Sequence, residues 1–189
     1  MEIEEIKKYL KKILSEKRYY HSECVMEMCE ELAKIYNVDI EKAKLVGIAH
    51  DVAKEMPTQE KFKYVEENNI KIDEIEKKYP TLLHAKIGAD IAIKKFGFDE
   101  EMAQAICVHT TAKPNMSMLD KVLYIADWIG KDRQFEDTEY LRDLAKKDID
   151  EAIIYSLKST INDKEEAKEE IHLDSILALN YLLEEKNKK

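Results

Sequence analysis

Residues 39–57 read DIEKAKLVGIAHDVAKEMP, and their reading decides the fold. Asp39 offers a side-chain acceptor for a helix N-terminus and Pro57 cannot continue a helix, so the stretch predicts a helix from Asp39 to about Lys54. Within it Ala43, Val46, Gly47 and His50 fall at i, i+3, i+4 and i+7, the steps of one inward face. An imidazole therefore ends an apolar stripe, with the carboxylate of Asp51 beside it. The same period recurs outward along the chain: Ile3, Ile6, Leu10, Ile13 and Leu14; Val25, Met28, Leu32 and Ile35; Met102, Ile106 and His109; Ile153, Leu157 and Ile161. No alternating run with a hairpin signal interrupts it.

Punctuation divides the rest. Thr58 is read as the cap of the next helix, residues 81–96 as a segment stopped by Gly97, and Asp99 as the cap of the helix carrying His109. Pro114 breaks that element, and Ser117 with Asp120 resembles a capping box for the helix carrying Asp127. Helices near 138–147, 148–162 and 174–186 complete an all-α chain of eight to ten helices, expected to form one domain over residues 1–189. Its functional core is expected at about 18–133 and its C-terminal helices at about 138–187.

Composition narrows the function classes. The 189 residues carry 31 Lys and Arg against 40 Asp and Glu, a net charge of −9, which argues against a nucleic-acid polymer as partner because such binding rests on phosphate neutralisation. Hydrophobic residues make up 44%, too many for a disordered chain. Cys24, Cys29 and Cys107 are odd in number and match no zinc spacing, so they read as small buried hydrophobes in a reducing compartment. The charged N-terminus shows no secretory leader and no apolar run reaches the ~18 residues of a membrane span. The expectation is a soluble cytoplasmic protein without a membrane partner.

Four of the five histidines sit at inward positions. His21 shares a stripe with Val25, Met28 and Leu32, His50 and His109 end stripes, and His84 shares a face with Ile87, Gly88 and Ile91. Burying four imidazoles without a common partner costs about 1–3 kcal/mol each, and a shared metal ion satisfies them together. Asp127, in the apolar run LYIADWI, needs a cation too: a metal, or Arg133. His21, His50, Asp51 and Asp127 offer two nitrogens and two oxygens, a donor set suited to Fe, Mn, Co, Ni or Zn with positions left for water and substrate.

The pattern His … His-Asp … Asp on helices resembles the HD superfamily of metal-dependent phosphohydrolases. RYYHS (18–22), GIAHDVAK (47–54), LLHAKIGA (82–89), AICVHTTAKPNMSMLDKVLYIADWIGKDR (105–133) and IHLDSILALNYLL (171–183) are similar to its YqeK-type branch, bacterial enzymes that split diadenosine tetraphosphate symmetrically into two ADP. The chain departs from that branch at Ala112, where it usually has Gly, and at Gly130 and Lys131, where it usually has Glu and Pro.

The resemblance implies one or two divalent transition-metal ions, most often Fe with Mn or Co as alternatives, held by His21, His50, Asp51 and Asp127. It implies that His84 and His109 ligate a second ion or contact phosphate, one of them then serving as a proton donor, with the phosphate side favoured for at least one. Lys54, Arg133, Arg18, Thr110 and Thr111 are expected on the phosphates, with Asp51, Lys54, His84 and His109 in the catalytic set, and a homodimer is implied. Tyr19, Tyr20, Tyr79, Tyr124 and Trp128 are candidates to stack on a purine or to pack in the core; His172 and Asn180 read as structural. Two other functions fit the same residues: an HD-type hydrolase of a nucleoside monophosphate or cyclic dinucleotide, and a non-catalytic metal-binding helical module.

Overall fold

The computed structural model describes residues 1–188, and among these the chain forms eleven α-helices and no strand. They are α1 (Ile3–Ile13), α2 (Glu16–Tyr36), α3 (Ile40–Ala49), α4 (Thr58–Glu67), α5 (Glu74–Lys78), α6 (Leu83–Ile91), α7 (Glu100–Val108), α8 (Met118–Ile129), α9 (Thr138–Lys147), α10 (Ile149–Glu166) and α11 (Leu173–Asn187). None of the described helices is long and apolar enough to cross a membrane.

Helices α2, α3, α7 and α8 pack around one another, and their shared interior carries the site. Val25, Cys29 and Leu32 of α2, Val46 and Ile48 of α3, Ile106 of α7 and Leu123, Ile125 and Ile129 of α8 are fully buried there. α1 lays Ile6 and Leu10 against this bundle, while α9, α10 and α11 extend it on the far side. α4 and α6 enclose a satellite cluster of Ala53, Val65, Leu83 and Ile87. Cys24 and Cys29 are buried, Cys107 is half-buried, and all three are free thiols.

Gly47 sets the approach of α2 to α3. A Cβ built there would lie 2.7 Å from Met26 Cα, a main-chain atom that has nowhere to go. Hydrogen lets the two backbones touch, and this closeness brings His21 and His50 to one centre.

Several boundaries follow the sequence signals. The side chains of Asp39, Asp99 and Ser117 accept from Lys42, Met102 and Asp120 N–H at 3.0, 2.9 and 3.1 Å. Gly97, at φ +73°, ends the segment after α6 in the left-handed conformation that glycine adopts without strain.

Others differ. The helix expected to reach Lys54 ends at Ala49. From there Val52, Lys54 and Met56 N–H bond the carbonyls three residues back, at 3.0, 2.9 and 3.3 Å, so the chain tightens into successive turns. His50 and Asp51 sit at that change of winding, which turns two adjacent side chains toward one point. Likewise α7 stops at Val108, so that His109 flanks the helix end. Thr58 is the first residue of α4 and Pro57 occupies the cap without a side-chain bond. α10 runs to Glu166, beyond the expected 162, and the short α5 carried too few apolar positions to be read from periodicity.

Ala112, one of the departures, sits at φ +58° and is buried. A left-handed alanine bears about 1–2 kcal/mol that glycine would not, which explains the glycine of the resembling branch.

Candidate metal centre

Four imidazoles form a row. His21 and His50 have ring centroids 5.4 Å apart, His50 and His109 5.1 Å, and His109 and His84 5.0 Å. All four are almost completely buried, at 4, 0, 2 and 1% exposure for His21, His50, His109 and His84. Each ring is held from behind. His50 Nδ1 donates to Gly47 O at 2.8 Å and His109 Nδ1 to Ile106 O at 2.6 Å, while His84 Nδ1 donates to Thr81 O. In each case the acceptor is the carbonyl three residues earlier. A carbonyl only accepts, so Nδ1 carries a proton in each of these rings and Nε2 is the nitrogen turned toward the centre. His21 is tied by a carboxylate: its Nδ1 lies 2.7 Å from Asp132 Oδ2.

Two carboxylates meet these nitrogens. Asp127 Oδ1 lies 2.9 Å from His21 Nε2 and 4.0 Å from His50 Nε2. Asp51 Oδ2 lies 3.4 Å from His50 Nε2, and its Oδ1 lies 3.2 Å from His84 Nε2 and 3.7 Å from His109 Nε2. The ligand atoms of His21, His50 and Asp127 all fall within 4.8 Å of one another, and so do those of His50, Asp51 and His109.

The chemistry of this donor set fits a divalent ion. His21 Nε2, His50 Nε2 and Asp51 Oδ1 are buried without a hydrogen-bond partner, an arrangement that costs several kcal/mol unless a cation completes it. His84 Nε2 and His109 Nε2 face each other at 3.1 Å with both Nδ1 protons committed elsewhere. Burial alone would raise the Asp51 carboxyl, yet His50, His109 and His84 hold it well below the usual carboxylate range. Asp127 is lowered as well, against its burial, by His21 and His50. Both carboxylates are therefore anionic at neutral pH and favour positive charge between the imidazoles. Burial pushes the His84 imidazole down to about 4, so it is neutral there.

Cationic side chains rim the cluster. Arg18 Nη1 bonds Asp51 Oδ2 at 2.8 Å. Lys54 Nζ donates to His84 Nε2 at 3.3 Å and lies 3.9 Å from Asp51 Oδ1. Arg133 closes on Asp127 by two bonds, Nη2 to Oδ1 at 2.6 Å and Nε to the main-chain carbonyl at 2.8 Å. The pairing of Asp127 with Arg133 thus coexists with its contact to His21. Thr110 and Thr111 lie outside the cluster, beyond His109, where they line a cavity with Tyr79, Leu82, His172 and Ser175. The Thr111 hydroxyl donates to Ala112 O at 3.1 Å. His172 caps α11, its Nδ1 accepting from Asp174 N–H at 3.2 Å. Tyr124 is only 2% exposed and packs in the core, so it is unavailable to a base.

Two residues escaped the sequence reading. Asp132 orients His21, and Arg142 staples the loop after α8 by donating to the carbonyls of Ile129, Gly130 and Arg133 at 2.9, 2.7 and 3.1 Å. Gly130 and Asp132 belong together: a Cβ at 130 would stand 2.8 Å from Asp132 Oδ1, so the Glu usual in the resembling branch would displace this carboxylate. Asp132→Asn is expected to weaken metal affinity about 10- to 100-fold, the usual effect of losing a partner behind a ligating histidine. Metal titration followed calorimetrically checks this, and unaltered affinity would remove Asp132 from the centre.

Comparison with known proteins agrees with this geometry. The sequence model of the HD domain family matches residues 18–132. A Halalkalibacterium halodurans protein named bis(5'-nucleosyl)-tetraphosphatase, symmetrical, is 40% identical over 90% of this chain and 91% of its own. A Bacillus subtilis protein of the same name is 33% identical over 97% and 98%. The crystal structure of a predicted HD superfamily hydrolase involved in NAD metabolism, from Clostridium acetobutylicum, superposes with a TM-score of 0.95 at 36% identity, covering 98% of both chains. With its two carboxylates and its His50-Asp51 pair at the turn after α3, the chain belongs to the HD domain family.

Proposed function

We propose that this protein is a metal-dependent phosphohydrolase that splits diadenosine tetraphosphate symmetrically into two ADP. The observation that carries the reading is the row of four back-tethered imidazoles facing Asp51 and Asp127, with Arg18, Lys54 and Arg133 at its rim. The near full-length relatives named for this activity supply the substrate.

His21, His50, Asp51 and Asp127 would hold one ion. Asp51, His84 and His109 would hold a second, since Asp51 turns Oδ2 toward His50 and Oδ1 toward His84 and His109. A bound divalent ion supplies an electrophile for phosphoryl oxygen and lowers the pKa of water at the site toward ~7. The nitrogen and oxygen donors suit Fe(II), with Mn(II) and Co(II) as alternatives. Iron and a homodimer belong to the same proposal and rest on the sequence resemblance; a cytoplasmic location belongs to it too and rests on the three free cysteines.

The chain's own groups then divide the work. His84 is neutral and its one proton bonds Thr81 O, so at neutral pH it serves as a ligand rather than a proton donor. None is required on the leaving side: a departing phosphate has a second pKa near ~6 and leaves as an anion once its charge is met. Lys54, one third exposed beside Asp51 and His84, is placed to meet that charge, and Arg133 offers a second cation beside Asp127. Arg18 fixes the Asp51 carboxylate from the solvent side.

Lys54→Ala is expected to leave metal content unchanged and to lower kcat/KM by about 100- to 1,000-fold, the scale of one lost charge-stabilising contact. A change under twofold would return Lys54 to the solvated surface. The reading as a whole is tested by turnover of diadenosine tetraphosphate after loading with Fe(II), Mn(II) or Co(II). Activity with at least one ion that a chelator abolishes is expected. Turnover unaffected by chelation would overturn the metal reading, and absence of turnover with all three would favour another nucleotide or a non-catalytic module.

A further inference from the structure

A cavity of about 230 Å³ opens at the His21 end of the imidazole row, lined by Asp127, Trp128, Arg133 and Phe135. Asp127 also belongs to the metal centre, so the cavity and the centre share a wall. The remaining imidazoles run away from this wall toward His84. A phosphate chain laid along the row would therefore bring the group attached to its end into this cavity.

The other walls are aromatic and fixed. Trp128 and Phe135 stand edge to face, their ring centroids 6.0 Å apart at an interplanar angle of 89°, so they form a corner. A flat ring that stacks on one meets the other edge-on. Phe135 is 39% exposed, an apolar surface left to water, yet its backbone is pinned. Its N–H donates to Thr138 Oγ1 at 2.8 Å, and that hydroxyl donates to Phe135 O at 2.7 Å. Arg142 holds the carbonyls just before it, and Arg133 is locked onto Asp127. A prebuilt aromatic corner next to a phosphate-binding cation fits a nucleobase carried on its phosphates.

We infer that the Trp128–Phe135 corner is the subsite for a purine base of the nucleotide whose phosphates lie at the imidazole–carboxylate cluster. The inference rests on the proposed nucleotide phosphohydrolase activity and names which side chains receive the base.

Trp128 is the only tryptophan in the sequence, so its fluorescence reports on this corner alone. The Mn(II)-loaded protein is titrated with ADP and, separately, with inorganic pyrophosphate, affinities being measured independently by calorimetry. ADP is expected to quench the emission saturably, with the calorimetric midpoint, while pyrophosphate binds without quenching. Phe135→Ala lies on an exposed loop, and it is expected to weaken ADP about tenfold, the scale of one lost base–aromatic contact, and to leave pyrophosphate unchanged. ADP binding without quenching, or an equal loss for both ligands in Phe135→Ala, would overturn the base subsite while leaving the hydrolase reading intact. If neither ADP nor pyrophosphate binds, both fall together.

Discussion

Asp51→Asn is expected to lose the bound ion and with it at least about three orders of magnitude of activity, since one carboxylate would serve both ligand groups. The residue is 1% exposed and touches every part of the centre: Arg18, His50, His84, His109 and Lys54 all lie within 4 Å of one or other oxygen. Asparagine keeps the shape and removes the charge. Its amide would present hydrogens to imidazole nitrogens that face it, an arrangement that occupies lone pairs a cation needs. Arg18 and Lys54 would also lose their anionic partner, leaving two positive charges beside the place an ion must enter. Metal analysis of the purified variant and its turnover number check both halves of the expectation. A variant that turns over normally with no ion bound would contradict the metal centre outright.

Gly47→Ala is the second large effect, and it acts through packing. The new Cβ would stand 2.7 Å from Met26 Cα and 3.1 Å from both Met26 N and Cys29 Sγ. A flexible side chain would yield, but a main-chain carbon yields only if α2 moves off α3. Overpacking of this kind costs about 1–3 kcal/mol, occasionally more, and alanine returns about 1 kcal/mol of helix propensity. With backbone as the obstacle, a net loss of about 2 kcal/mol is expected, or a Tm lowered by roughly 4–8 °C. The separation also moves His50, whose ring hangs from Gly47 O, relative to His21 on α2. Metal affinity should therefore fall together with stability. Thermal unfolding and metal titration of the same sample check the pair, and a Tm raised by alanine, as at an ordinary exposed helix glycine, would contradict the close approach.

Much of the centre was legible because imidazoles on apolar stripes violate the pattern around them. His21, His50, His84 and His109 each stood where a core hydrophobe belonged, and Asp127 interrupted an apolar run. The structure brings all five to one place, with Asp51. Periodicity failed where winding changes without a change in composition. Val52 and Ala53 continue the apolar spacing past Ala49, so the end of α3 was invisible, although that end is what aims His50 and Asp51 together. Asp132, Arg142 and Phe135 lie in or hold the loop after α8, where no period exists to violate. Asp132 breaks no pattern in the sequence, and only the packing of that loop against α2 reveals its bond to His21. Gly130 was legible as a departure but not as a reason: the clash it avoids is with a residue two positions on.

The product distribution from diadenosine tetraphosphate tests the central claim most directly. The metal-loaded protein is incubated with the dinucleotide and the nucleotides are separated from the earliest time points onward. The account predicts ADP alone, two for each substrate consumed. AMP and ATP in equal amounts would keep a phosphohydrolase but contradict symmetrical cleavage.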